Sequence, residues 1–180
     1  MSKKWFVVAV AVMLAGSAFA AEKEYSGVTP NLDKGTKVLE GAGYFDLMGD
    51  EIQIQLAYGL LVADGLEVAL VAGLRDSDFY MSTDLGVRAE YNLVLGSALV
   101  PFLSAGVVWA DVESDANDID TDAAVFSLGG GVKYFIRDNV SLAVNGSYLL
   151  ATDDIFVDNE DGKVQDDEFR ILFSVRSYFD

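Results

Sequence analysis

The chain has 180 residues, no cysteine and no histidine, and its 12 basic side chains are outnumbered by 29 acidic ones, for a formal net charge of −17. This composition excludes disulfides and thiolate metal sites, argues against nucleic acid as a partner, which needs basic patches, and removes the usual general base of enzymes. Yet 52% of the residues are hydrophobic, so one explanation has to cover both an acidic and an unusually apolar chain.

Residues 1–20 read as a signal peptide. Lys3 and Lys4 give a positive start, Trp5 through Leu14 an apolar core, and Ala18-Phe19-Ala20 a small-x-small cleavage site. The apolar run is too short for a retained transmembrane helix. Cleavage before Ala21 removes two bases and no acid, leaving 10 bases against 29 acids, a net charge of −19. Residues 21–35, which include Gly27 and Pro30, read as a flexible periplasmic lead-in. Residues 36–180 carry the folded domain.

That domain alternates with a period of two, the signature of strands with two different faces. A first strand over 36–48 puts Leu39, Gly41, Gly43, Phe45 and Leu47 on its apolar side. A second, over 51–61, sets Ile52, Ile54, Leu56, Tyr58 and Leu60 against Gln53, Gln55 and Ala57. After an Asp64-Gly65 turn, a third strand over 66–75 sets Val68, Leu70, Ala72 and Leu74 against Glu67, Val71 and Arg75. A polar loop over 76–82 leads to a fourth strand over 83–93, with Leu85, Val87, Ala89 and Tyr91 opposite Asp84, Arg88 and Glu90. The fifth, over 99–110, has Pro101, Leu103, Ala105, Val107 and Trp109 on the apolar side. An acidic loop over 111–122 precedes two strands joined by Arg137-Asp138-Asn139. Phe126, Leu128, Val132, Tyr134 and Ile136, then Leu142, Val144, Tyr148 and Leu150, are apolar; Ser127, Lys133, Arg137, Ser141 and Asn145 alternate with them. A second acidic loop over 151–167 precedes the last strand, 168–180, where Phe169, Ile171, Phe173, Val175 and Phe179 oppose Arg170, Ser174 and Arg176.

Strands of roughly ten residues joined by alternating short and long links predict an all-β fold, an eight-stranded antiparallel up-and-down transmembrane β-barrel. The pattern resembles the small eight-stranded outer-membrane β-barrel family of the outer-membrane protein A and X type. The resemblance is carried most specifically by Pro101-Phe102-Leu103-Ser104-Ala105-Gly106, Gly129-Gly130-Gly131-Val132-Lys133-Tyr134-Phe135 and the aromatic last strand, where Phe179 is followed by Asp180. It implies residence in the outer membrane of a Gram-negative-type bacterium, both termini periplasmic, and a partnership with the barrel-insertion machinery that reads such a last strand.

Three features place the apolar face toward lipid. No charge falls on it in any strand, as expected where a midplane charge costs about 2–4 kcal/mol. Its aromatics gather near the strand ends as two girdles, Phe45, Trp109, Phe126, Tyr148 and Phe169 beside the long loops and Tyr58, Tyr91, Tyr134 and Phe179 beside the short turns. The opposite face carries both signs: Glu40, Asp46, Glu67, Asp84 and Glu90 with Arg75, Arg88, Lys133, Arg137, Arg170 and Arg176. An eight-stranded barrel has room inside only for its own side chains, so these charges are expected to pair as an interior ion network. The alternatives are a soluble lipocalin-like barrel that binds an apolar ligand inside, and a narrow porin-like channel.

With the interior near neutral, the negative charge falls in the loops. The last of them loosely follows a calcium-loop pattern, and Asp158, Asp161, Asp166, Asp167 and Glu168 are its candidate ligands, for divalent cations that bridge to lipopolysaccharide. Val157 stands where such a loop needs its first Asp, and solvation of surface loops is the simpler account. No cofactor is expected. Asp84 and Glu90 share an inner face, but the basic side chains beside them favour ion pairing over catalysis. The sequence thus points to a monomeric, non-enzymatic barrel with a structural or surface-interaction role.

Overall fold

The computed structural model describes residues 27–45, 51–77, 80–114, 119–157 and 164–180. Its strands are β1 (Lys37–Phe45), β2 (Glu51–Ala63), β3 (Leu66–Ser77), β4 (Met81–Asn92), β5 (Leu99–Ser114), β6 (Ile119–Arg137), β7 (Val140–Ala151), β8 (Phe156–Val157), β9 (Val164–Gln165) and β10 (Asp167–Phe179). Eight of them close an antiparallel barrel in the order β1-β10-β7-β6-β5-β4-β3-β2, and β8 and β9 pair with each other in the last long loop. The closing seam joins β1 to β10 from Lys37↔Phe179 to Gly43↔Phe173.

The apolar face points outward. Leu70, Leu128 and Phe173 are 63%, 70% and 61% exposed, whereas Glu67, Lys133 and Arg176 are 1%, 0% and 1% exposed. The lipocalin-like alternative fails on this observation, because its ligand cavity needs the apolar side chains inside.

The wall follows the sequence pattern closely; the rims do not. The acidic stretch over 111–122, expected as a loop, mostly continues the sheet: β5 and β6 stay paired through Asp111↔Asp122 and Val112↔Thr121 out to Ser114↔Ile119. Val112, Ala123 and Val125 supply the reason, since all three are buried at the barrel mouth. Arg137, expected on the inner face, is exposed; a register shift between Phe135 and Arg137 breaks the alternation just before the turn. Pro101, expected on the outer face, is buried, and its carbonyl accepts from the Leu93 N–H at 2.8 Å, in the link between β4 and β5. Asp46, Leu47 and Met48 lie outside the described residues.

Two glycines are fixed by geometry. Gly65 takes φ +73° in the β2–β3 turn, where an added Cβ would lie 2.8 Å from the Asn92 carbonyl oxygen. At Gly131 a Cβ would sit 1.9 Å from the Val144 carbonyl oxygen, so β6 and β7 approach too closely there for any side chain.

The interior has apolar ends. At the long-loop end Tyr80, Ala110, Val112, Ala123, Val125, Leu149, Ile155 and Phe156 cluster. At the short-turn end Leu32, Val38, Leu61, Ala98, Val100, Phe135 and Tyr178 do. Leu32 belongs to the segment expected as a flexible lead-in; its described part, residues 27–35, is hydrogen-bonded to the rim.

Candidate functional site

Six charged side chains from five strands meet at the waist of the barrel: Glu40 from β1, Glu67 from β3, Arg88 and Glu90 from β4, Lys133 from β6 and Arg176 from β10. Period-two alternation puts each on the inner face, and the barrel's narrowness brings them within reach of one another. Arg176 Nη1 donates to both Glu90 oxygens at 2.8 and 2.9 Å. Its Nη2 lies 3.2 Å from Glu40 Oε2, and its Nη1 lies 3.7 Å from Glu67 Oε2. Arg88 pairs directly with Glu40 and lies 3.7 Å from Glu67 Oε1. Lys133 pairs directly with Glu90 and lies 3.7 Å from Glu67 Oε2. Lys133 Nζ and the Arg176 guanidinium each sit 5.2 Å from the centre of the Phe102 ring.

The set holds three carboxylates and three cations, each side chain no more than 10% exposed. Charges this far from water are tolerated when paired and held by several partners at once. Within the network Glu40 and Glu90 accept directly from cations, and Glu67 lies 3.7 Å from Arg88, Lys133 and Arg176.

A second, smaller cluster lies toward the long-loop end. Glu168 accepts from Arg75 Nη1 at 3.1 Å and from Arg170 Nη2 at 2.7 Å. Asp84 accepts from the Ser82 hydroxyl at 3.4 Å. Arg75, Asp84 and Arg170 line a cavity of about 40 Å³ together with Ile155 and Phe156. A space of that size admits a water molecule or two. Among the expected network members, Asp84 and Arg170 therefore sit apart from the other six.

The outward aromatics expected in the girdles fall in two bands wherever their side chains are described, and Phe173 lies between the bands. Trp109, Phe126, Tyr148 and Phe169 lie toward the long loops, and Phe169 pairs in register with Tyr148. Tyr58, Tyr91, Tyr134 and Phe179 lie toward the short turns, with the Tyr58 and Phe179 rings 6.5 Å apart. The side chain of Phe45 lies outside the described residues.

A closed eight-stranded barrel with an outer wall charged only near its rims, aromatic bands and a core of balanced charge is the architecture of one kind of protein. The family model described as "Outer membrane protein beta-barrel domain" matches residues 6–176. The chain belongs to that family. Solved structures agree at the level of fold. The N-terminal β-barrel domain of OprF from Pseudomonas aeruginosa is 17% identical, with a TM-score of 0.62 over 81% of this chain and 98% of that one. Neisserial surface protein A is 17% identical with a TM-score of 0.56, over 80% of this chain and 95% of that one. OprG from P. aeruginosa is 11% identical with a TM-score of 0.54, over 85% of this chain and 99% of that one. Comparison with the curated proteins finds no sequence match. The protein is thus a small outer-membrane β-barrel.

For this outer-membrane barrel, one candidate metal ligand needs correction. Glu168 is not a loop ligand: it is the second residue of β10, faces inward and is held by two arginines. The signal was available, because Glu168 lies two residues before Arg170 and shares its face. Asp167 accepts a hydrogen bond from the Tyr148 hydroxyl, and Asp166 is exposed. Asp158 and Asp161 lie outside the described residues. Among the described residues no group of three or more potential ligands gathers for a metal. The mouth residues Tyr80, Ile155 and Phe156 carried no sequence signal, since they lie in links, where packing has no fixed period.

Proposed function

We propose that this outer-membrane barrel is a monomeric, sealed and non-catalytic envelope protein that presents acidic loops at the cell surface and keeps both termini on the periplasmic side. The observation that carries the proposal is charge balance. The described interior holds Glu40, Glu67, Asp84, Glu90 and Glu168 with Arg75, Arg88, Lys133, Arg170 and Arg176, five of each sign. The surplus of acid therefore belongs to the rim and loops at the long-loop end, where Asp111, Glu113, Asp122, Asp153, Asp154 and Asp166 are exposed.

Fields of one sign attract opposite charge, so the partners in keeping with these loops are divalent cations and, bridged through them, lipopolysaccharide phosphates. The aromatic bands anchor the wall at the two lipid interfaces. Lack of histidine and cysteine, together with four interior glutamates that face arginine or lysine, supports the non-catalytic reading. Single cysteines test the orientation in a chain that otherwise has none. Asp153→Cys should react with a membrane-impermeant maleimide in intact cells, and Asn139→Cys only after the outer membrane is permeabilised. The reverse pattern would overturn the orientation and with it the surface role of the loops.

A further inference from the structure

The short turns end the barrel on one side, and a segment that belongs to none of its strands lies across that opening. We propose that residues 28–35 form a strap that seals the short-turn mouth and braces opposite halves of the barrel. Its anchors carry the inference. At one end the Thr29 N–H donates to Asp138 Oδ1 at 2.9 Å and the Asn31 N–H to the Asp138 carbonyl at 2.8 Å. At the other end the Lys34 N–H donates to Asp64 Oδ1 at 2.9 Å, the Gly65 N–H donates to the Leu32 carbonyl at 2.9 Å, and the Gly35 N–H donates to the Leu61 carbonyl at 2.8 Å.

Asp138 lies in the β6–β7 turn and Asp64 in the β2–β3 turn. In the closed order β1-β10-β7-β6-β5-β4-β3-β2 these turns are four strands apart by either route, which is to say diametrically opposite. Five residue steps lead from Thr29 to Lys34, a reach of roughly 17 Å when extended. Between the anchors, the Leu32 side chain is inserted among Val38, Leu61, Ala98, Val100, Phe135 and Tyr178, which come from both halves of the barrel. The Thr36 hydroxyl donates to Asn31 Oδ1 at 3.0 Å and fixes the strap's course where it joins β1.

The seal touches the waist. Tyr178 stacks 5.1 Å from Phe135, and its ring lies 5.8 Å from Lys133 Nζ. Leu32 is thus one layer from the ion network, and the strap keeps water from reaching those pairs through the short-turn end. Because its anchors come from opposite turns, the strap docks fully only on a closed barrel. None of this depends on what the loops bind.

A cysteine at Ser141 reports on the seal. Ser141 is fully buried, with its hydroxyl 3.4 Å from that of Tyr178. Ser141→Cys and, as a control at the far end, Ala123→Cys are each combined with deletion of residues 28–34, folded into micelles, and exposed to a small water-soluble thiol reagent. Loss of the strap should speed modification at position 141 by about tenfold or more and leave position 123 unchanged, the mark of local rather than global opening. If the deletion gives no heat-modifiable band, Leu32→Asp with Asp64→Ala and Asp138→Ala decides, since it removes the buried plug and both side-chain anchors and changes no strand residue. Selective acceleration at 141 in that variant supports the strap. A wild-type rate at 141 in a folded variant, or equal acceleration at both positions, overturns it.

Discussion

The waist of this barrel surrounds its charges with opposite ones; the rim leaves its like charges to solvent. Glu40 and Arg176 are direct register partners across the β1–β10 seam, and Glu67 and Glu90, opposed on β3–β4, both face Lys133 and Arg176. On the β5–β6 hairpin, Asp111 stands opposite Asp122, and Glu113 opposite Asp120. The same kind of ladder carries both arrangements, so strand pairing does not decide which is allowed. Water does. Inside a closed barrel an unpaired charge keeps most of its desolvation penalty, and pairing is obligatory. At the rim, Asp111 and Asp122 are exposed, and solvent and salt screen a repulsion that at the waist, between Glu67 and Glu90, is offset by Lys133 and Arg176.

Removing a waist cation has the largest expected effect. Arg176→Met leaves Glu40, Glu67 and Glu90 facing only Arg88 and Lys133, and loss of one partner from a buried ionic set costs about 3–5 kcal/mol. The unfolding midpoint in denaturant, measured in lipid vesicles, should fall accordingly. A charge placed on the outer wall should cost about 2–4 kcal/mol, as expected for arginine near the bilayer midplane. Phe173→Arg, at an outward position of β10, should lose most of its heat-modifiable folded band.

The waist also predicts non-additivity. Arg176→Met with Glu90→Gln leaves two carboxylates and two cations, so the double variant should recover about 0.5–3 kcal/mol relative to the sum of the single effects. Strict additivity in a double-mutant cycle would mean that the network does not act as a unit. The smallest effect lies at the rim. Asp122→Asn relieves a directly opposed pair and should stabilise the barrel by about 0.2–1 kcal/mol. Raising the salt concentration should shrink that gain while leaving the Arg176→Met loss nearly unchanged.

The wall of this molecule was legible in its sequence because two uniform environments impose the alternation: lipid outside admits no charge, and a packed interior requires paired ones. Glu40, Glu67, Arg88, Glu90, Lys133 and Arg176 all follow from counting by two along their strands. The rims were not legible, because that rule lapses where the strands meet water. Acidic side chains on the β5–β6 extension read as a loop although Val112, Ala123 and Val125 bury the other face of the same hairpin. Glu168 read as a loop acid because acidic neighbours hid its phase with Arg170. Arg137 kept the right phase on paper, yet a bulge turned it outward. Leu32 lay in a stretch with no periodicity, and its burial depends on a contact with turns distant in sequence.

Single-channel recording reads out directly whether the interior is sealed. The wild-type chain, folded to its heat-modifiable form and reconstituted in a planar lipid bilayer, should leave the baseline current without resolved openings. Stable, reproducible conductance steps from that preparation would contradict the account, because ions would then be passing a waist that the six-residue network is held to close.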